Sequence, residues 1–155
     1  MVEAAAICLD SKGHRPGVRL AVRGISDRSY TLEWQPASEQ AHRIWQYNRA
    51  TEWGAEGIAV ILVENETPYT VIEAGVQLTG IDYWLGDESD TTFQRKARLE
   101  ASGIRYPGHG IVNSSVITQR VNDKLQQTNQ SDDTQLPAYV IVVEFSRPVA
   151  EFHEK

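Results

Sequence analysis

Two neighbouring segments decide how this chain folds, namely Gly80-Ile81-Asp82-Tyr83-Trp84-Leu85-Gly86 and Phe93-Gln94-Arg95-Lys96-Ala97-Arg98-Leu99-Glu100. A short polar stretch joins them, which predicts a β-hairpin. Successive side chains of a strand point to opposite faces, so Gln94 and Lys96 share one face. In such a hairpin Asp82 lies beside both of them. We therefore expect a carboxylate, an amide oxygen and an ammonium group within a few ångströms of one another.

This predicted set of side chains suits the hydrolysis of phosphodiesters. Mg²⁺ prefers oxygen ligands and keeps several waters, one of which can be activated to attack phosphorus. In this interpretation Asp82 is a metal ligand and Gln94 is a neutral second ligand. Lys96 positions the attacking water or stabilises charge on the phosphate.

The segments around this hairpin predict a helix, three strands, a helix and a strand. Ser38 is the expected N-cap of a long helix that ends near Glu64, and Gly54 and Gly57 within it indicate close packing against a sheet. Strands are expected at 69–76, 80–86 and 92–100, a second helix at about 111–128, and a strand buried on both faces at 138–145.

This order of elements resembles the PD-(D/E)XK nuclease superfamily, whose members carry an aspartate on the second core strand and an acid-x-lysine tripeptide on the third. Tyr69-Thr70-Val71-Ile72, leading into Thr79-Gly80-Ile81-Asp82, is similar to archaeal Holliday-junction resolvases and restriction-endonuclease-like proteins. The resemblance covers about residues 38–146. It implies an α/β fold with an αβββαβ restriction-endonuclease-like core and a mixed central sheet.

By position, the resemblance assigns Asp82 to the family aspartate, Gln94 to the acid of the acid-x-lysine element and Lys96 to its lysine. Many members also place a metal-facing glutamate on the first core helix. Glu52 is our choice for that position, and Glu56, one helical turn later, is the alternative. The resemblance thus implies an Mg²⁺ or Mn²⁺ site formed by Asp82, Gln94 and Glu52. Gln94 departs from the family pattern, which has an acid at this position. A neutral ligand there weakens metal binding.

Composition favours one domain. The chain has 155 residues, of which 41% are apolar and 23% are charged, and this length suits a single core. We expect one domain over residues 1–155. Its parts are N-terminal strands over 1–36, a nuclease-like core over 37–146 and a C-terminal tail over 147–155. The N-terminal part is predicted as a β-meander with strands at 2–9, 17–23 and 29–35.

The charge pattern limits how the chain can bind nucleic acid. A net charge of −6 argues against a protein that neutralises phosphates over its whole surface. One local phosphate track is predicted, formed by Arg95, Lys96, Arg98, Arg105, Arg120 and Lys124. The sequence has neither a run of about 18 apolar residues nor a signal region, so we expect a cytoplasmic protein that does not enter membranes.

Two functions from different classes follow from these observations. The first is a metal-dependent nuclease, a hydrolase acting on DNA. We expect it to work as a homodimer or with a larger partner, such as an ATPase or a defence-system component, by analogy alone. The second is a catalytically inactive nuclease-fold scaffold or regulatory subunit that binds a protein partner. Gln94, the acidic net charge and the predicted N-terminal meander favour the second.

Overall fold

The apolar segments of the sequence form one mixed sheet in the computed structural model, which describes residues 1–76, 79–106 and 113–155. The strands in these residues are β1 (Val18–Gly24), β2 (Ser29–Leu32), β3 (Thr70–Ala74), β4 (Tyr83–Gly86), β5 (Ala97–Ile104), β6 (Ala138–Glu144) and β7 (Val149–Glu154). The helices are α1 (Val2–Ser11), α2 (Glu39–Ile44), α3 (Tyr47–Glu66) and α4 (Ser114–Gln127), and a 3₁₀ segment, Thr128–Thr134, follows α4. In these parts of the chain, no helix combines the length and the apolar character needed to span a bilayer.

The sheet has the strand order β2-β1-β7-β6-β5-β4-β3. The pairs β1–β7 and β5–β6 are parallel, and the other neighbouring strands are antiparallel. The expectation of an α/β fold with a mixed sheet is therefore confirmed. β6 is buried at every residue, as its continuous apolar sequence predicts.

Helices cover both faces of the sheet. Ile141 and Val143 belong to the larger core cluster, which includes buried residues of α1 and α3. Val140 and Val142, on the alternate face, pack with Ile117 of α4. The two-residue period of β6 thus assigns successive side chains to two separate cores.

The prediction of an N-terminal β-meander is wrong, because residues 2–11 form α1 rather than a strand. Three alanines at positions 4–6 favour a helix, and a short apolar run does not by itself distinguish a helix from a strand. Ala4 and Cys8, one helical turn apart, are both fully buried. The remaining N-terminal strands form the hairpin β1–β2, with Leu20 opposite Tyr30.

The long helix expected from Ser38 is two helices. Ser38 is the N-cap of α2 as predicted, since its side chain accepts a hydrogen bond from the Ala41 amide at 3.1 Å. Trp45 then takes extended backbone angles, and α3 begins at Tyr47. Gly54 does mark close packing, but against α1: a Cβ at that position would lie 3.0 Å from the Ala5 backbone nitrogen.

Two other boundaries differ from expectation. The strand predicted at 92–100 is β5, which begins only at Ala97 and continues to Ile104. Residues 149–154 form β7 between β1 and β6, although the sequence suggested a tail there. Residues 111 and 112 of the second predicted helix lie outside the described residues. The shift of β5 matters most, because it changes which side chains stand next to Asp82.

Candidate functional site

A cavity of about 630 Å³ lies where α3, β5, α4 and the segment before β4 meet. Four carboxylates line one part of it, and three cationic side chains also line it. The carboxylates belong to Glu52, Glu56, Asp82 and Glu100, and the cations belong to Arg105, Arg120 and Lys124. Two other cavities, one beside Thr67 and one beside Trp34, are lined by at most two charged side chains each.

Asp82 is held by three hydrogen bonds to backbone groups, two of them on β5 and one at Gly75, which follows β3. Its amide donates to the Leu99 carbonyl at 2.8 Å, and its own carbonyl accepts from the Gly75 amide at 2.7 Å. Its Oδ2 atom accepts from the Ala101 amide at 2.7 Å. Asp82 thus bonds to the backbone of Leu99 and of Ala101, the two residues that flank Glu100 on β5. Local pairing of the strands therefore brings these two carboxylates together.

Glu100 is buried, with 2% of its surface exposed, and it faces α4. Lys124 of α4 donates to Glu100 Oε1 at 2.5 Å and to Gln127 Oε1 at 3.0 Å. Burial raises the pKa of Glu100, and the negative charge of Asp82 adds to this effect, whereas Lys124 opposes it. The Glu100–Lys124 pair is thus the charged centre of the cavity.

A second contact between α4 and β5 lies two residues further along the strand. Arg120 donates through Nη1 to the Ser102 hydroxyl at 3.0 Å, and Ser102 is itself buried. Four residues of a helix rise about 6 Å, and two residues of a strand span about 6.6 Å. Because these distances match, Arg120 and Lys124 of α4 stand directly over Ser102 and Glu100 of β5.

The α3 carboxylates complete the acidic part of the cavity. Tyr83 donates to Glu56 Oε2 at 2.8 Å. Burial raises the pKa of Glu56 despite this hydrogen bond, and the charges of Asp82 and Glu52 raise it further. Burial also raises the pKa of Asp82, which the Ala101 amide and Lys124 oppose. These shifts mean that the carboxylates lie near enough to repel one another, so a cation among them would be favourable.

The arrangement is compatible with a metal site of few protein ligands. Among residues 1–76, 79–106 and 113–155, no three His, Cys, Asp or Glu side chains converge as they would around a metal ion. Mg²⁺, however, usually takes only one or two carboxylates and completes its shell with water and substrate phosphate. Asp82 and Glu100 provide such a pair. Each can keep its present partner through one oxygen and offer the other.

The structure brings some of the predicted site residues together and separates others. Asp82 and Glu52 line the cavity, as does the alternative Glu56. Gln94 and Lys96 lie outside it. Gln94 is exposed, and Lys96 forms an ion pair with Asp87 while its amide donates to the Leu85 carbonyl at 2.7 Å.

The expected neighbourhood of Asp82 with Gln94 and Lys96 is therefore wrong. Lys96 precedes Glu100 by four residues, which corresponds to about 13 Å of extended chain. Asp82 instead bonds to the backbone of Leu99 and Ala101, on either side of Glu100. Sequence reasoning missed Glu100 as a site residue because Ser102 stands where the lysine of an acid-x-lysine tripeptide would be. The alternation of Ala97, Leu99 and Ala101 was the signal that the strand continues past residue 100.

The predicted phosphate track is also divided. Arg95 pairs with Glu73 at 2.7 Å and lies over the Trp84 ring. Arg98 is buried and donates to the carbonyls of Thr128 and Leu136, so it anchors the 3₁₀ segment to β5. Of the six residues in that track, only Arg105, Arg120 and Lys124 line the cavity.

Comparison of the chain with protein-family models, with characterised proteins and with solved structures finds no match.

Proposed function

We propose that this chain is a metal-dependent nuclease in which Asp82 and Glu100 form the acidic pair. The observation that carries the proposal is that Asp82 bonds to the two backbone positions that flank Glu100, beside a cavity that both carboxylates line. The order α3, β3, β4, β5, α4, β6 supports it, because it follows the helix, three strands, helix and strand of the PD-(D/E)XK core. Glu100 then takes the role that the sequence suggested for Gln94.

The donor set suits Mg²⁺ or Mn²⁺, since both favour oxygen ligands. Asp82 and Glu100 would hold the ion. Glu56 is the better helix ligand, because it is half-buried and its charge is felt by Glu100, whereas Glu52 is exposed. When bound, the ion supplies an activated water and stabilises negative charge on the phosphate.

The α4 cations supply the charge that Lys96 cannot. Lys124 reaches Glu100 from α4, so its ammonium could stabilise a phosphate bound to the ion that Glu100 would hold. Arg120, one helical turn earlier, contacts Ser102 rather than Glu100, so it lies about 6.6 Å further along β5 than the proposed acidic pair. Lys124 thus replaces the single lysine of the tripeptide.

The proposed substrate is DNA. The net charge of −6 disfavours neutralisation of phosphates over the whole surface, so we propose that a homodimer or a larger partner provides the remaining contacts with DNA. The partner is inferred by analogy with small nuclease subunits.

The test is cleavage of single-stranded and double-stranded DNA with Mg²⁺ or Mn²⁺. Asp82→Asn and Glu100→Gln should each abolish cleavage, because they remove the charge of one ligand while preserving its shape. Gln94→Ala and Lys96→Ala are the matched controls and should cleave like the wild type. Circular dichroism confirms that each variant folds. Cleavage that survives both Asp82→Asn and Glu100→Gln, or that is lost in the two controls, would contradict the assignment.

The second candidate is an inactive scaffold or regulatory subunit. Ser102 at the lysine position and the engagement of Glu100 by Lys124 favour it. Calorimetric titration with Mg²⁺ and Mn²⁺ separates the two functions. Binding in the millimolar range or tighter supports the nuclease, and its absence, together with a stable protein complex, supports the scaffold.

A further inference from the structure

The cavity has a basic part that the proposed metal site does not use. Arg105 and Arg120 both line it, and neither has a carboxylate partner within 4 Å in the described parts of the chain. Lys12 is close enough that repulsion by Arg105 contributes to lowering its pKa, after the larger effect of burial. Positive charges gathered in a chain of net charge −6 indicate a place where an anion is expected.

Arg105 is the central residue of this basic part. It is 8% exposed, and its guanidinium lies 4.0 Å from the centre of the Tyr47 ring. Nη2 donates to the Tyr47 carbonyl at 2.7 Å, and Nη1 donates to the Ser11 hydroxyl at 3.3 Å. Its Nε atom is buried without an acceptor among the described residues. The hydrogen bonds that this side chain donates within the described residues therefore go to neutral groups, and none of the described carboxylates lies within 4 Å of its guanidinium.

Arg98 shows how this protein treats a structural arginine. Its Nε also lacks an acceptor, but its other nitrogens meet the carbonyls of Thr128 and Leu136, the Ser131 hydroxyl and the Asp132 carboxylate. A buried cation with that set of acceptors needs no ligand. Arg105 has two neutral acceptors and borders a cavity. Unlike Arg98, it can therefore donate hydrogen bonds to an anion that enters that cavity.

The spacing of the cations follows β5. Lys124 contacts Glu100, Arg120 contacts Ser102, and Arg105 directly follows the strand. Positions 100 and 102 are about 6.6 Å apart in a strand, which is close to the separation of successive phosphates in an extended nucleic acid strand. Arg105 lies three residues beyond Ser102 and reaches the cavity from the α3 side, where it contacts Tyr47. All three cations border the same cavity, so one strand passing through it would meet them in turn.

We propose that Arg120 and Arg105 form a subsite for the phosphates that follow the scissile phosphate in one extended nucleic acid strand running along β5. The substrate of this site is then single-stranded, or a strand separated from its complement. This inference rests on the proposed nuclease function, which defines the phosphate that is cleaved. Binding of the strand itself requires neither metal nor cleavage.

The test is fluorescence anisotropy with a labelled single-stranded oligothymidylate in EDTA, at several salt concentrations. Arg120→Gln should weaken binding roughly tenfold, because one charged hydrogen-bonded contact is lost. It should also reduce the slope of log K against log salt by about 1. Arg19→Gln, an exposed arginine of β1, is the matched control and should bind like the wild type.

Arg105→Lys keeps the charge but loses the fork of donors, and it should weaken binding while its melting temperature shows that it folds. Competition by pyrophosphate should be weaker for Arg120→Gln than for the wild type. The subsite is wrong if Arg120→Gln and Arg105→Lys both bind like the wild type, or if Arg19→Gln weakens binding as much as Arg120→Gln. If the wild-type protein binds the oligonucleotide as expected but does not cleave DNA with Mg²⁺ or Mn²⁺, the nuclease proposal is wrong and the phosphate subsite stands.

Discussion

Replacing Lys124 by methionine should make the stability of this protein depend strongly on pH. Glu100 is 2% exposed, and Lys124 is its cationic partner at 2.5 Å. Removing one member of a buried pair costs about 3–5 kcal/mol, because the other charge is left without compensation. The Lys124 side chain is 20% exposed, so we expect the lower end, about 3 kcal/mol. For a domain of this size that corresponds to a fall in melting temperature of about 9 °C.

The sign of the pH effect follows from the raised pKa of Glu100. At pH values between the pKa of Glu100 in the unfolded state and its higher pKa in the folded state, the folded state binds more protons. The free energy of unfolding therefore falls as the pH rises through this range. Lys124 opposes the rise in pKa, so Lys124→Met widens the window. The loss of stability should therefore be largest near pH 8, and it should shrink as the pH is lowered toward the ordinary glutamate value of 4.5.

Urea unfolding at several pH values measures this effect. The double variant Glu100→Gln/Lys124→Met should recover much of the lost stability at pH 8, since it removes the buried charge as well as its partner. An equal loss for Lys124→Met at pH 5 and pH 8, or a loss below about 1 kcal/mol at pH 8, would refute the role given to this ion pair.

Three further predictions concern how the cavity is built. Gly103→Ala should destabilise the fold by about 2 kcal/mol in urea unfolding, because a Cβ there would lie 2.3 Å from the Thr51 carbonyl oxygen of α3; an unchanged midpoint would contradict this contact. Arg98→Met should cost about 3 kcal/mol and increase amide exchange in residues 128–134, since buried acceptors lose their donor; unchanged exchange would contradict the anchoring role. Tyr83→Phe should cost only about 1 kcal/mol and should raise the pKa of Glu56 in an NMR titration, because a hydrogen bond to the carboxylate is lost; a lowered pKa would contradict it.

Much of the sheet was predictable because its signals are local. The run at 138–145 is long and rich in β-branched residues, so β6 could be assigned with its burial. Ser38 was recognisable as an N-cap from its residue type and position. The sequence 2–11 was ambiguous, because an apolar run of that length fits a strand or a helix, and its helical packing depends on Gly54 of α3.

The site was only partly predictable, because it depends on the register between strands. Asp82 was singled out from residue type and spacing, whereas Glu52, with Glu56 as its alternative, was chosen only through the family resemblance. Glu100 could not be preferred over Gln94 without knowing that Tyr83 pairs with Leu99. Register is set by contacts across the sheet, and a shift of a few residues changes which residue of β5 lies beside Asp82. Lys124 was recognised only as part of a basic track, because its contact with Glu100 joins residues 24 positions apart.

Crystals grown with Mn²⁺ and measured near the manganese absorption edge would test the Asp82–Glu100 assignment most directly. We predict one anomalous peak within coordination distance of both the Asp82 and Glu100 carboxylates, and its loss in Glu100→Gln. A peak beside Gln94 and Asp87 instead, or no peak at millimolar Mn²⁺, would contradict the assignment.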